Sequence, residues 1–157
     1  MNRNAVFDTV VLLQGAAKPN GPAGRCLRLD AEGRAALSMS AEGLAEIADV
    51  LGREKVRRRF PQWTVAGIAH FLQNLRSLVR MVADVPLTFS FARDPDDEHI
   101  VNLAIAAGAT FIVSRDNDLN DLMKDDNADG VELRQQYPSL TILDPVAFLA
   151  IADATDE

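Results

Sequence analysis

Short apolar runs alternate along this chain with segments patterned as helices, and that alternation restricts the fold more than any other feature. "AVFDTVVLL" (Ala5 to Leu13) is apolar and β-branched on both sides of a single aspartate, and reads as a buried central strand. "AALSMS" reads as a second, short strand, "TFIVS" (Thr110 to Ser114) as another, and "LTIL" as the last. Helical patterns fill the intervals. A helix through "GRCLRLDAEGR" follows the turn chemistry of "GAAKPNGPAG". Ser40 stands as the N-cap of "AEGLAEIADVLG", which Gly52 closes. "TVAGIAHFLQNLRSLVRMVA" places Val65, Ile68, Ala69, Leu72, Leu75, Leu78 and Val79 on one face, with Pro61 ahead of it and Thr64 as its cap. In "DPDDEHIVNLAIAAG" Asp94 is the cap, Pro95 takes the first helical position and Gly108 ends the helix. A short helix is expected around Asn117 to Met123, then a loop rich in Asp and Asn, and finally a helix on "DPVAFLAIA" capped by Asp144. Strands alternating with helices predict an α/β fold, a three-layer α/β/α sandwich whose central parallel sheet is covered on both faces. In such a sheet the working site lies beyond the carboxyl ends of the strands.

Size and composition narrow the setting. The 157 residues suit one domain spanning 1–157, with apolar (48%) and charged (25%) fractions that exclude a disordered or fibrous chain. No apolar run is long enough to cross a bilayer, and "MNRNAVFDTV" lacks a signal-peptide layout. Cys26, the only cysteine, has no disulfide or metal-pair partner, so a cytoplasmic location is expected. With two histidines, His70 and His99, the composition argues against a His/Cys zinc site. A net charge of −7 argues against nonspecific adhesion to nucleic acid, although a metal site can account for several carboxylates. Positive charge gathers in "GREKVRRRF", where Arg53, Lys55, Arg57, Arg58 and Arg59 form either a solvated helix end or a contact for a phosphate backbone or an acidic partner.

The acidic residues carry the chemistry. Asp8 interrupts an apolar strand, where a lone ionised carboxylate is costly to bury. It is either hydrogen-bonded to local backbone or Thr9, or a metal ligand at the strand's carboxyl end. Acids at Asp94, Asp96, Asp97 and Glu98 favour a helix N-terminus through its free N–H groups and its dipole. That explains the cap, but four acids in five positions repel one another unless a cation sits nearby. Asp116 lies just past "TFIVS", with Asp118 behind it. Asp8, Asp97 and Asp116 therefore converge on one edge of the predicted sheet. Glu46 lies on the flank of the stripe formed by Leu44, Ile47 and Leu51, and by pattern alone reads as a surface glutamate. Converging carboxylates suit Mg²⁺ or Mn²⁺, which take oxygen ligands. Such ions lower the pKa of an attacking water and neutralise charge on a displaced phosphate. His99, two residues beyond Asp97, is expected to point elsewhere and to serve packing.

Four pieces, in order, resemble the PIN-domain ribonucleases, in particular the VapC-like toxin components of toxin–antitoxin operons. "VFDTVVLLQGAAKPNGPA" is similar to the family's opening strand and "MSAEGLAEIADVL" to the helix that supplies its glutamate. "RDPDDEHIVNLAIAAGATFIVSRDNDL" is similar to the segment bearing the later aspartates, and "LTILDPVAFLA" to the usual ending. Carried across by position, the resemblance implies Asp8, Glu46, Asp97 and Asp116 as the four catalytic acids. Asp97 fits because the interval to Ala104 matches the family's. Glu98 and Asp118 are implied as further ligands or water-orienting groups, Ser114 as the hydroxyl that steadies the site, and Thr9 and Asp94 as supporting residues. The family further implies a divalent metal, cleavage of single-stranded RNA, frequent homodimers and neutralisation by a small antitoxin. The face on Val65 to Val79 serves either core packing or such a dimer. One position departs from the pattern: the family places Asn two residues after the first aspartate, and this chain has Val10, which removes an amide that hydrogen-bonds within the acidic cluster. Two other classes stand beside the nuclease. One is a PIN domain weakened at Val10 and kept as a binding module. The other is a receiver-type phosphoacceptor, which needs paired acids after the first strand and a lysine after a late one, and "FDTVVLL" and "LTILDP" supply neither.

Overall fold

The computed structural model describes residues 3–91 and 95–154, with Asp96 by its backbone alone. Five parallel strands form one sheet in the order β3-β2-β1-β4-β5. They are β1 (Asn4–Phe7), β2 (Ala36–Ser40), β3 (Arg80–Val82), β4 (Phe111–Val113) and β5 (Thr141–Leu143). Along β1 successive side chains enter opposite cores: Phe7 packs with Met39, Val113 and Phe148, and Val6 with Val101, Ile112 and Ile142. Ala5, Val6 and Phe7 are all at most 4% exposed, as a central strand buried on both faces requires.

The helices make the outer layers. On the Phe7 side lie α1 (Thr9–Ala17), α2 (Pro22–Ala31), α3 (Ala41–Gly52), α5 (Val65–Leu78) and α9 (Pro145–Ala154). On the Val6 side lie α6 (Pro95–Ala107), α7 (Asn117–Asn120), a 3₁₀ turn at Asp121–Met123 and α8 (Ala128–Gln136). The short α4 (Glu54–Arg59) buries no residue of its own. The α/β/α sandwich expected from the sequence is therefore the observed fold. Among the described residues no helix is long and apolar enough to cross a membrane.

Local chemistry explains most boundaries. The hydroxyls of Ser40 and Thr64 accept the amides of Gly43 and Gly67 at 3.0 Å, starting α3 and α5. Asp144 does the same for Ala147 at 2.8 Å. Gly108 ends α6 at φ 64°, in the left-handed region that glycine enters without penalty. The expected cap of α6, Asp94, lies outside the described residues, as does the Asp96 side chain.

Three expectations change. The run Ala5 to Leu13 is not one strand: it ends at Phe7, and Thr9 onward is helical. Val11, Leu12, Gly15 and Ala16 are the buried residues of α1, so tertiary packing on a helical period overrides the β-propensity of "TVVLL". The helix expected through Ala83 stops at Leu78, and Arg80–Val82 joins β2 as an edge strand. The loop expected after Met123 contains α8, with Asn127 as its cap.

Candidate active site

The order of strands sets the location. The chain runs outward from β1 through β2 to β3, then returns to the other side of β1 for β4 and β5. The switch point lies beyond the carboxyl ends of β1 and β4, where an open parallel sheet leaves a crevice. A cleft of about 440 Å³ opens there, lined among others by Asp8, Thr9, Val10, Ser40, Glu46, Asp97, His99 and Asp116.

Each acid reaches the cleft from a different element. Asp8 is the first residue past β1 and the N-cap of α1, with its amide still bonded to the Val113 carbonyl at 3.0 Å. Its carboxylate Oδ2 accepts the Ser114 hydroxyl at 2.9 Å. The same Ser114 Oγ accepts the Asp116 amide at 2.9 Å, so one fully buried hydroxyl positions both aspartates. Asp116 Oδ1 accepts the Asp118 amide at 2.8 Å, which starts α7. Asp97, on the first turn of α6, is 5% exposed. Single carboxylate oxygens of Asp97, Asp116 and Asp118 all lie within 4.8 Å of one another. Glu46 stands on the opposite, more open wall on α3, where Thr9 Oγ1 donates to its Oε2 at 3.3 Å.

The electrostatics agree with the geometry. Burial pushes the Asp8 carboxyl above its usual range, and the Asp116 charge pushes the same way. The Ser114 hydroxyl and the neighbouring Val10 and Thr9 amides pull against that rise without cancelling it. The cluster's donors are all carboxylate oxygens, the set that hard divalent cations with oxygen coordination take. The residues present thus fit Mg²⁺ or Mn²⁺.

Most of the residues singled out in the sequence meet here: Asp8, Thr9, Glu46, Asp97 and Asp116 line the cleft, and Asp118 and Ser114 bond directly to its edge. Glu98 does not join them. Its Oε2 accepts the Ser90 hydroxyl at 3.3 Å and the Phe91 amide at 3.1 Å, tying α6 to the loop before it. One position on a helix turns a side chain by about 100°, enough to carry Glu98 out of the cleft that Asp97 enters. Arg53, Lys55, Arg57, Arg58 and Arg59 lie on or beside α4 and are solvent-exposed; Arg53 and Arg58 are paired with Asp49 and Glu54.

His99 corrects an expectation. It lines the cleft rather than packing elsewhere, with Nε2 3.0 Å from Ser40 Oγ and Nδ1 3.7 Å from a Glu42 oxygen. The cleft is wide enough to take two flanks of α6, so Asp97 meets the β4 loop while His99 meets the start of α3. Asn120 is a further site residue that sequence reasoning missed. Its Nδ2 donates to the Ser114 and Asp116 carbonyls, both at 2.9 Å, and clamps the loop that carries the acids. In the sequence it is one more polar residue in an Asp/Asn-rich stretch, with nothing to mark it.

A doubly wound parallel sheet with a cluster of carboxylates at its switch point defines the class. A model of the PIN domain matches residues 4–118, and the chain belongs to the PIN domain family. No curated protein matches it in sequence. Solved structures of similar fold include VapBC2 from Rickettsia felis bound to a DNA fragment from their promoter. The alignment has 15% identity and a TM-score of 0.54, and it covers 88% of this chain and 96% of the other.

Proposed function

We propose that this protein is a divalent-metal-dependent endoribonuclease and the toxin of a toxin–antitoxin pair. The observation that carries the proposal is the meeting of Asp97, Asp116 and Asp118 within 4.8 Å, with Asp8 held beside them by Ser114 and Glu46 across the cleft. Asp8, Asp97, Asp116 and Asp118 would hold Mg²⁺ or Mn²⁺. When bound, the ion supplies a water of lowered pKa and neutralises charge developing on the phosphate. Glu46, which accepts the Thr9 hydroxyl and lines the same cleft, would take up the proton released there. Ser114 and Asn120 hold the β4 loop still, so that the acids need little reorganisation when substrate binds. The toxin assignment is supported by PIN family membership and by a fold shared with a VapBC complex. An antitoxin partner, a homodimer and a cytoplasmic setting belong to the same proposal.

The test is cleavage of single-stranded RNA in Mn²⁺ by the wild-type protein and by Asp97→Asn. The variant should be inactive and should bind Mn²⁺ more weakly; cleavage at the wild-type rate would overturn the mechanism. A second reading, a PIN domain with weakened chemistry that serves binding, is favoured by Val10. Its side chain is 51% exposed at the cleft wall and offers the acids no polar atom. Under that reading Val10→Asn raises cleavage from a low level by roughly 10–100-fold, the usual worth of groups that support metal ligands.

A further inference from the structure

The acidic cleft and a basic groove lie on two flanks of α1 and of the loop after β4. On α1, Leu13 faces the cleft and Gln14 the groove; after β4, Asp116 faces the cleft and Arg115 the groove. The groove encloses about 360 Å³ and is lined by Gln14, Lys18, Gly21, Pro22, Phe60 and Arg115, among others. That volume lies within the ~300–1,000 Å³ typical of small-molecule sites and suits one nucleotide unit. Lys18 and Arg115 are exposed, and neither enters an ion pair among the described residues. Both therefore keep their charge available in a chain with net charge −7. Phe60 is half-buried and contributes its ring to the groove, with the Arg59 guanidinium 6.0 Å from the ring centroid.

We infer that this groove receives the nucleotide adjoining the scissile phosphate, with Lys18 and Arg115 pairing its phosphate and Phe60 stacking on its base. The inference rests on the ribonuclease reading and adds the path of the substrate strand. Cations beside an aromatic ring match the charge-and-base repeat of a single strand, and stacking on a ring accepts any base. An acidic peptide would use the cations and leave the ring idle. Arg115 lies between Ser114 and Asp116 in the chain, so a phosphate paired with Arg115 is held by the same loop that carries an acid of the cleft. Beyond Phe60 the exposed Lys55, Arg57 and Arg59 continue the positive surface.

The test uses the full chain carrying Asp97→Asn, which should not cut, and a fluorescein-labelled 12-nucleotide single-stranded RNA followed by anisotropy. Adding Lys18→Ala and Arg115→Ala should weaken binding about tenfold and flatten the plot of log K against log salt by ~0.7, the slope of one phosphate left unneutralised on a single strand. Phe60→Ala should weaken binding at every salt concentration, and Phe60→Trp should keep it. In the otherwise wild-type protein, Lys18→Ala with Arg115→Ala should raise KM for this RNA more than it lowers kcat. Unchanged affinity and slope in the double variant would overturn the groove and leave the nuclease standing. Groove-dependent binding without cleavage by the unsubstituted chain would support the groove and defeat the nuclease. A double variant that loses binding to a labelled polyglutamate peptide, while binding RNA as before, would overturn the inference in favour of an acidic protein partner.

Discussion

Ser114 serves two acids at once, donating its proton to Asp8 and accepting the Asp116 amide. Alanine cannot fill either role, because it leaves the Asp8 carboxylate and the Asp116 N–H each without that partner. Ser114→Ala is expected to lower Mn²⁺ affinity by about 10–100-fold, measured by calorimetric titration, while Ser114→Thr largely restores it. At this scale the sequence was readable where chemistry and position coincide. Asp8, inside an apolar run, is costly enough to demand a reason, whereas Asp116 gains its meaning only by converging with Asp8 and Asp97 on one sheet edge, and all three line the cleft. Glu98 was misplaced because a helix turns each residue by about 100°, which carries it out of the cleft that Asp97 enters, and His99 because the cleft spans two flanks of α6 and so takes a residue that the same turn had sent elsewhere. Asn120 left no trace in the pattern, since its work is done on two backbone carbonyls that no sequence displays.

At the scale of elements, the site depends on α3 and α6 holding their distance across the cleft, and Ser40 touches both. Its hydroxyl caps α3, which carries Glu46, and meets His99 on α6, which carries Asp97. Thr64 caps α5 in the same way with no such second contact. Replacing either with alanine should cost ~1 kcal/mol of stability by loss of the cap, seen as a lower midpoint in urea. Only Ser40→Ala should also slow RNA cleavage, because it alone unties the two helices that frame the cleft; equal activity in both variants would remove Ser40 from any positioning role. The elements were legible in proportion to their burial. β2, β4, β5, α3 and α9 have caps or short apolar runs that admit one assignment. β3 has three residues, two of them exposed, and continues the apolar spacing of α5, so periodicity could not separate them. α8 buries only Gly130 and Leu133 and reads as polar loop. The helical start of α1 was hidden because "TVVLL" favours a strand by propensity and becomes helical only through packing against α2 and α3.

At the scale of the whole molecule, β1, β4 and α6 bring negative charge to one point, so the cluster opposes the fold that creates it unless a cation is bound. The Asp8 carboxyl is raised above its ordinary value, which fixes the sign of the pH dependence. In the metal-free protein its stabilising contribution is complete below the ordinary carboxylate range and is lost as pH rises through the raised value. Asp30, raised by its own burial, adds in the same direction, so Asp8→Asn is needed to isolate the site's share. Without metal, Asp8→Asn should be more stable than wild type at neutral pH and should gain less on mild acidification, keeping only the Asp30 share. Saturating Mn²⁺ should reverse the order, stabilising wild type by about 2.7 kcal/mol at a hundred times Kd and the variant far less. Cys26 offers a direct readout. It is buried between α2 and α9, its Sγ donates to the Pro145 carbonyl at 3.4 Å, and burial pushes its thiol up to about 12. Iodoacetamide should therefore label it only when the core opens, at a rate set by global stability under fast reclosing. Mn²⁺ should slow that labelling in wild type and scarcely change it in Asp8→Asn. If Mn²⁺ protected both proteins equally, the stabilising cation would be binding elsewhere, and the acids at the switch point would need another purpose.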